Sequence, residues 1–248
     1  MDDVMLSVQD LHVEVGGVEI LHGIDLDIRS GETATLFGPN GSGKTTLLMT
    51  IMGFPKYVVT RGSVVFKGQD VTTLSVDERA RMGMGMSFQR PPVVRGVKTY
   101  DMVAACLRRE SSAEEIRDMA AAAGLEDFLD RDVNYGFSGG EMKRSELLQL
   151  IAQSPDFVLL DEPESGVDLV NVAVVGELIN KLLQKDVRIR ERSRSGLIIT
   201  HTGQVLDHVN ARIGFVMIDG KLTCKGDPHE ILATIKESGY EECCRCAM

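Results

Sequence analysis

Apolar and polar residues alternate along the first thirty positions, most clearly over residues 24–28, which read Ile-Asp-Leu-Asp-Ile. A period of two is typical of strands that bury one face. A Gly-Gly pair at residues 16–17 and a Ser-Gly pair at residues 30–31 interrupt the alternation, which predicts turns at these positions. The pattern predicts an antiparallel β region, which residues 62–67 and the turn at 68–70 continue.

The pattern becomes helical between residues 89 and 153. Ser138 and Glu141 have the three-residue spacing of a capping box, which predicts a helix start at this point. A further amphipathic helix is predicted after the next apolar run. The predicted helices span residues 100–109, 113–123, 138–152 and 168–184.

Two short apolar runs, residues 157–160 and 196–200, carry almost no polar side chains. Such runs are typical of strands in a parallel sheet that helices cover on both faces. The second half of the chain therefore predicts an α/β fold. Asp161 and His201 follow these runs, at the carboxyl edge where open α/β sheets bind ligands.

Residues 38–46 read Gly-Pro-Asn-Gly-Ser-Gly-Lys-Thr-Thr, which matches the phosphate-binding loop G-x-x-x-x-G-K-[ST]. A β-prone segment precedes the loop and apolar residues at helical spacing follow it. Backbone N–H groups at a helix N-terminus, together with a lysine, can hold a polyphosphate. The residues expected to bind the nucleotide here are Gly38, Pro39, Asn40, Gly41, Ser42, Gly43, Lys44, Thr45 and Thr46.

Further motifs follow in a fixed order: Gln89, then Phe-Ser-Gly-Gly-Glu at 137–141, Asp161-Glu162, Ser-Gly-Val-Asp at 165–168, and His201. This order resembles the nucleotide-binding domain of the ABC ATPase superfamily. The resemblance implies an α/β, ABC-type P-loop NTPase with a RecA-like core, an antiparallel β subdomain and a helical subdomain.

We expect one domain over residues 1–248, because the motifs run from end to end. The core and β subdomain are expected at about 1–88 and 154–226, and the helical subdomain at about 89–153. A C-terminal helix and cysteine tail are expected over 227–248.

The segments around Gln89 and the 137–141 motif resemble one branch of the superfamily. They read Phe-Gln-Arg-Pro-Pro at 88–92 and Gly-Phe-Ser-Gly-Gly-Glu-Met-Lys-Arg-Ser-Glu-Leu-Leu-Gln at 136–149, where most transporter ATPases have Leu-Ser-Gly-Gly-Gln. Together with Glu-Ser-Gly-Tyr at 237–240, they resemble the SUF-system (SufC-type) ABC ATPases of iron–sulfur cluster assembly.

The resemblance implies ATP and Mg²⁺ as cofactors, with a carboxylate that polarises the attacking water and a histidine that senses the γ-phosphate. The residues implied in catalysis are Glu162, His201 and Gln89. Those implied for the metal are Thr45, Gln89 and Asp161. Ser138, Gly139, Gly140 and Asp168 are expected to meet the nucleotide of a second copy, which gives an ATP-dependent homodimer.

Two residues depart from the superfamily pattern. Many ABC domains stack adenine on an aromatic residue where this chain has Val15, so the sequence leaves nucleotide selectivity open. Glu164 stands where transporters commonly have threonine, and an added carboxylate near Mg²⁺ or the dimer interface could tune closure.

A net charge of −10 and a pI near 5.0 disfavour a general affinity for nucleic acid or anionic lipid, which both need a basic surface. No apolar run approaches the roughly 18 residues that span a bilayer, so we expect no direct membrane insertion and a cytoplasmic location. The basic segment 185–195 is expected to be a solvated connector rather than a site for RNA or an acidic partner.

The five cysteines are Cys106, Cys224, Cys243, Cys244 and Cys246. The last three could hold a soft metal or pass on sulfur. The adjacent pair lacks the spacing of metal knuckles, so we expect an appendage instead.

Three functions follow from the resemblance. The first is an ATPase that dimerises on ATP and drives a conformational change in a SufB/SufD-like scaffold, docked through the helical lobe and residues 90–100. The scaffold could be a heterodimer or two identical chains. The alternatives are the ATPase subunit of a membrane ABC transporter and, disfavoured by the acidic charge, a nucleic-acid-associated ATPase.

Overall fold

The structure is a computed structural model that describes residues 4–107, 109–185, 187–188 and 191–243. The strands within these ranges are β1 (Val4–Val15), β2 (Val18–Arg29), β3 (Thr33–Phe37), β4 (Tyr57–Phe66), β5 (Gln69–Asp70), β6 (Met84–Ser87), β7 (Val94–Lys98), β8 (Asp132–Val133), β9 (Phe157–Asp161), β10 (Ser195–Ile199), β11 (Ile213–Ile218) and β12 (Lys221–Gly226). The helices are α1 (Lys44–Met52), α2 (Val76–Arg81), α3 (Thr99–Cys106), α4 (Ala113–Ala122), α5 (Gly139–Gln153), α6 (Leu169–Leu182) and α7 (Pro228–Cys243).

The strands form a six-stranded sheet in the order β12-β11-β3-β10-β9-β6 and an antiparallel sheet in the order β2-β1-β4-β5. The antiparallel sheet confirms the β region predicted from the alternating N-terminal pattern. In the larger sheet β3, β6, β9, β10 and β11 run parallel, and β12 is an antiparallel edge strand. The α/β class is therefore confirmed.

Alternate residues of the central strands enter two separate apolar clusters. In β9, Val158 and Leu160 join the cluster that includes α5 and α6, and Phe157 and Leu159 join the cluster that includes α1 and the antiparallel sheet. Every residue of β9 is buried. Both faces of the sheet are covered, which explains why the strand is almost continuously apolar.

Two strands lie inside the segment that was predicted as purely helical, so that prediction was incomplete. The strands β7 and β8 pair antiparallel, and the Asp132 carboxylate accepts hydrogen bonds from Gly96 N (3.0 Å) and Lys98 Nζ (2.8 Å). These contacts join residues more than thirty positions apart. No local periodicity could have indicated them.

The four predicted helices are confirmed as α3, α4, α5 and α6, with small shifts at their ends. The first of them ends at Cys106 rather than at residue 109. Ser138 and Glu141 form the predicted capping box: Ser138 Oγ accepts from Glu141 N at 3.3 Å, and Glu141 Oε2 accepts from Ser138 N at 2.7 Å. None of the helices in the described ranges is long and apolar enough to cross a bilayer.

Two arginines of the basic segment 185–195 bond to the chain's own backbone. Arg192 donates to Val187 O (3.1 Å) and Lys185 O (2.9 Å), and Arg194 donates to Leu182 O (3.1 Å). These bonds support the interpretation as a connector. Residues 186, 189 and 190 of this segment lie outside the described residues.

Arg79 of α2 is buried and holds the C-terminal end of α1 in place. Its guanidinium donates to Thr50 O (2.9 Å) and Ile51 O (2.8 Å) of α1, and to Thr72 O and Leu74 O (2.9 Å each) of the loop between β5 and α2. Thr50 O also accepts from Gly53 N (3.0 Å), so the arginine adds a donor at the end of α1 and ties that end to the loop before α2. The arginine thus fixes the helix that begins at the phosphate loop.

Arg79→Met should lower the free energy of unfolding by about 3 kcal/mol, because it leaves buried carbonyls without donors. Urea unfolding followed by circular dichroism measures the change. Arg81→Met is the matched control on the same helix, since Arg81 is 72% exposed and pairs with Asp77 on the surface. That control should change stability by less than about 1 kcal/mol. If both variants lost the same free energy of unfolding, the buried hydrogen bonds of Arg79 would contribute no more to stability than a surface ion pair.

Candidate active site

The phosphate loop connects β3 to α1, as the sequence predicts. Gly43 precedes the helix with φ 105°, a left-handed conformation that a side chain would strain. A Cβ at this position would also lie 2.9 Å from Leu21 Cδ2. The loop therefore requires glycine here for both its backbone turn and its packing.

Lys44 is 6% exposed, and its ammonium group turns back into the loop. Its Nζ donates to Gly38 O (2.8 Å) and Pro39 O (2.9 Å). Burial lowers the pKa of Lys44, and the nearby Glu162 and Asp161 oppose that shift. The structure therefore places a cation beside backbone N–H groups at a helix N-terminus, a combination suited to phosphate oxygens.

Asp161, the last residue of β9, is 1% exposed and faces the start of α1. Its Oδ2 accepts a hydrogen bond from Thr45 Oγ1 at 3.0 Å, whereas its Oδ1 has no hydrogen-bond partner in the structure. Burial raises the pKa of Asp161, and the Thr45 hydrogen bond opposes that shift. A buried carboxylate oxygen without a partner beside a hydroxyl is a donor set that fits Mg²⁺.

Glu162 meets the two other residues predicted to act in catalysis. Gln89 Nε2 donates to Glu162 Oε2 at 2.6 Å, and His201 Nε2 lies 2.6 Å from Glu162 Oε1. Glu162 is 8% exposed and has φ 48°, a rare conformation for a residue with a side chain. The carboxylate is thus fixed at both oxygens, next to the phosphate loop.

Most of these residues line one cleft with a volume of about 670 Å³, and Asp161 contacts that lining through Thr45. The phosphate loop and Thr46 lie at one part of its wall, and Gln89, Glu162 and His201 lie at another. The lining also includes apolar side chains from β1, β2 and β4. A cleft of this size with convergent polar groups is typical of a small-molecule site.

The 138–140 motif and Asp168 do not line this cleft. Gly139 and Gly140 begin α5, where a Cβ on Gly139 would lie 2.4 Å from Gly166 O. Asp168 accepts hydrogen bonds from Asn171 N (3.0 Å) and Asn171 Nδ2 (2.7 Å) near the start of α6. One chain therefore does not bring these residues to its own phosphate loop.

Sequence reasoning missed the clamp that α5 forms on the backbone before Gln89. Lys143 Nζ donates to Phe88 O (2.7 Å), and Glu146 Oε1 accepts from Phe88 N (2.8 Å). Burial raises the pKa of Glu146 to about 7. Two charged residues three positions apart on a helix usually indicate a solvated face. Only the packing of α5 against β6 shows that Lys143 and Glu146 hold Phe88.

Glu164 bonds to the loop after β10 and does not line the cleft, and its effect on closure stays a prediction. Its Oε1 accepts hydrogen bonds from Thr200 Oγ1 and from Thr202 Oγ1 (3.4 Å), and Thr200 Oγ1 in turn accepts from Gly203 N (2.9 Å). The side chain is buried and is absent from the cleft lining. It links the loop after β9 to the loop that carries His201.

The C-terminal segment contacts the phosphate loop through Tyr240. Gly239 has φ 79° and kinks α7, and the Tyr240 hydroxyl then lies in hydrogen-bond contact with the Gly38 backbone. Cys244 and Cys246 lie outside the described residues, and the side chain of Cys243 is not described. No group of three or more metal-ligating side chains occurs within the described ranges.

Comparisons with known proteins agree with this geometry. The sequence model of a family described as ABC transporter matches residues 21–165, which include the phosphate loop, Gln89, the 137–141 motif and Asp161-Glu162. A probable ABC transporter ATP-binding protein of Streptococcus pyogenes is 37% identical over 248 residues, which cover 95% of this chain and 93% of that protein. The probable ATP-dependent transporter SufC of Escherichia coli is 37% identical over 249 residues, which cover 95% of this chain and 97% of that protein.

Among solved structures, a nucleotide-free ATP-binding cassette from an ABC transporter has a TM-score of 0.74 to this chain. The alignment covers 96% of this chain and 98% of the cassette at 22% identity. That likeness shows the fold.

Glu162→Gln should retain ATP binding and lower the hydrolysis rate at least a hundredfold, because an amide cannot accept a proton from water. Glu164→Gln is the matched control two residues away, since Glu164 points to Thr200 rather than into the cleft. Its hydrolysis rate should stay within about threefold of the wild type. A phosphate-release assay measures the hydrolysis rates, and a parallel measurement checks ATP binding. Near-normal turnover of the Glu162 variant would contradict the assignment of Glu162 as the proton acceptor.

The stability of the ligand-free chain should fall as the pH rises from about 4.5 to about 7, in part because of Glu146. Burial raises the pKa of this carboxyl in the folded state, so the folded chain keeps a proton that the unfolded chain releases. Glu146→Gln keeps an oxygen for Phe88 N and removes the titration. As the pH rises from 5 to 8, the free energy of unfolding of this variant should increase relative to that of the wild type by on the order of 2 kcal/mol. Urea unfolding at each pH measures the difference.

The exposed Glu114 of α4 provides the control for this titration. Glu114→Gln should leave the pH dependence of unfolding as it is in the wild type. Parallel pH profiles for Glu146→Gln and the wild type would mean that Glu146 does not change protonation on folding.

Proposed function

The chain belongs to the ABC transporter family of ATP-binding proteins and is an ATPase, and from that premise we propose that it is the ATPase subunit of a cytosolic SUF-type iron–sulfur cluster assembly complex. The Glu162 carboxylate, held between Gln89 and His201 beside the phosphate loop, carries the hydrolytic part of this proposal. The sequence resemblance at residues 88–92 and 136–149 supports the SUF assignment.

Hydrolysis would use the residues that the cleft brings together. Lys44 and the loop N–H groups would hold the β- and γ-phosphates, and Glu162 would accept a proton from the attacking water. His201 would hydrogen-bond the γ-phosphate in exchange for its contact with Glu162. Mg²⁺, held by Asp161, Thr45 and Gln89, would neutralise phosphate charge.

The separation of the 138–140 motif from the phosphate loop supports a dimer. The N-terminus of α5 carries the N–H groups of Gly139 and Gly140, and such groups bind anions. In a head-to-tail pair they would meet the γ-phosphate on the other copy. Two copies would then enclose two ATP molecules between them.

A groove beside β6 and α5 provides a docking site for the scaffold. Its volume is about 190 Å³, and its lining includes Phe88, Pro91, Pro92 and Met102. Two polar atoms of lining residues, Glu146 Oε2 and Asn134 Oδ1, are buried without hydrogen-bond partners. Because unpaired buried polar groups are costly, we expect the scaffold to insert an apolar segment that carries a hydrogen-bonding group.

The groove connects to the active site through adjacent residues. Phe88 lines the groove and is clamped by α5, and the next residue, Gln89, bonds to Glu162. A scaffold in the groove could thus shift Gln89, and nucleotide-driven motion of Gln89 could move the scaffold. This arrangement supports ATP-driven conformational change in a partner.

The ATPase subunit of a membrane ABC transporter is the second candidate. The relative from Streptococcus pyogenes is named as a probable ABC transporter ATP-binding protein, and the one from Escherichia coli as a probable ATP-dependent transporter. A transporter subunit would use the same groove for a polytopic membrane partner.

Affinity purification of the tagged full chain from its native cell, followed by mass spectrometry, separates the two candidates. We expect a SufB/SufD-like scaffold to co-purify with Glu162→Gln in the presence of Mg·ATP. A polytopic membrane protein in its place would overturn the SUF proposal in favour of the transporter.

Met102→Glu in the groove should reduce recovery of the scaffold at least tenfold and leave basal ATP hydrolysis within about twofold, because it places a charge in an apolar contact. Val4→Glu, on the exposed start of β1, is the matched control and should keep the partner. Full recovery with Met102→Glu would contradict docking in this groove.

A further inference from the structure

One part of the nucleotide cleft is lined by apolar side chains rather than by phosphate-binding groups. Val15 lies at the end of β1, Val18 and Ile20 lie on β2, and Tyr57 begins β4. Val18 is 60% exposed, although it is a large apolar residue. Among the described residues that line the cleft, Tyr57 has the only phenol ring.

The sheet register places Tyr57 beside Val15. The two residues are Cα partners in the antiparallel pairing of β1 with β4, and Val15 is also the partner of Val18 across the turn to β2. Directly opposite residues present their side chains on the same face of a sheet. The ring thus lies next to the position at which Val15 offers no aromatic surface.

Local contacts fix this position. Tyr57 N donates to Phe54 O at 3.1 Å, and the half-buried side chain packs against the apolar cluster that contains α1. Tyr57 therefore lines the nucleotide cleft from a supported position, and it also lines a neighbouring cavity together with Phe54 and Pro55. Such an arrangement holds an aromatic group in place before a ligand arrives.

We propose that Tyr57 is the residue on which the nucleotide base stacks, with Val15, Val18 and Ile20 completing an apolar base site. The proposal rests on ATP binding in this cleft and specifies how the base is held. Stacking on an aromatic side chain strengthens base binding about tenfold or more.

The same site predicts weak selection among purines. The phenol hydroxyl is the one polar side-chain group among these four residues, and stacking accepts any base because every base has a π-face. ATP and GTP should therefore bind with affinities within about fivefold of each other. This property follows from a base site without an amide or charged side chain.

The test measures dissociation constants of the full chain by isothermal calorimetry for Mg·ATP, Mg·GTP and inorganic tripolyphosphate. Tyr57→Leu should weaken ATP and GTP binding about tenfold and leave tripolyphosphate binding within twofold. Tyr57→Phe should bind both nucleotides within about threefold of the wild type, since it keeps the ring. Tyr135→Leu, at a tyrosine that is 54% exposed and stacks on Arg95, is the matched control and should bind all three ligands normally.

A second variant separates base contact from a loss of folding. Val15→Tyr combined with Tyr57→Leu moves the ring to the partner position across the β1–β4 pair and should restore at least half of the lost affinity in free-energy terms. Thermal unfolding of every variant accompanies the binding data.

Wild-type ATP affinity in a folded Tyr57→Leu variant would overturn the proposal, as would an equal loss for ATP and tripolyphosphate. If the chain bound ATP more than about twentyfold more tightly than GTP, the claim that the base site lacks polar recognition would be wrong. These outcomes are distinct from failure of the proposed function, in which the wild type itself would not bind ATP or would lack the scaffold.

Discussion

Burial of negative charge at the end of β9 is the constraint on which the rest of the site depends. Asp161, Glu162 and Glu164 lie within four residues and are each at most 8% exposed, and Glu146 of α5 is buried nearby. Burial is the main cause that raises the pKa of Asp161, Glu164 and Glu146. Buried carboxylates are costly unless they are paired or coordinate a cation. The lysines close to them, Lys44 and Lys143, donate to backbone carbonyls instead.

Each carboxylate meets this constraint differently, and its function follows from the way it does so. Glu164 takes hydroxyl donors from Thr200 and Thr202 and joins two loops. Glu162 takes donors from Gln89 and His201, groups that a nucleotide could displace. Asp161 keeps one buried oxygen without a partner, as Glu164 and Glu146 also do, but its other oxygen bonds to Thr45 of the phosphate loop. The site is therefore arranged so that a cation and a phosphate would complete what the protein leaves unpaired.

The helix α5 joins the elements that must act together. Its capped N-terminus carries the 138–140 motif, and its first two turns hold Phe88 through Lys143 and Glu146. Movement of this helix would reach Gln89 and the groove at the same time. That shared element explains how hydrolysis and partner binding could be linked without contact between the two ligands.

The local parts of this architecture could be predicted from the sequence, and the non-local parts could not. The phosphate loop, the capping box at Ser138 and the apolar run of β9 are encoded in short segments, so their patterns were sufficient. The pairing of β7 with β8, the Phe88 clamp and the contact of Glu164 with Thr200 join distant residues that carry no periodic signal. The strand β6 reads Met-Gly-Met-Ser and lacks β-branched residues, so only its pairing with β9 makes it a strand. The subdomain boundaries and the roles of the site residues remain predictions.

Thermal unfolding of Asp161→Asn with and without Mg²⁺ tests the central claim, that the charge buried at the end of β9 is completed by the cation of the nucleotide. The wild type should be stabilised more by Mg·ATP than by ATP with EDTA. The variant should melt higher than the wild type without ligand, because it removes a buried charge, and should show no added stabilisation from Mg²⁺. An unchanged Mg²⁺-dependent increment in Asp161→Asn would contradict the account.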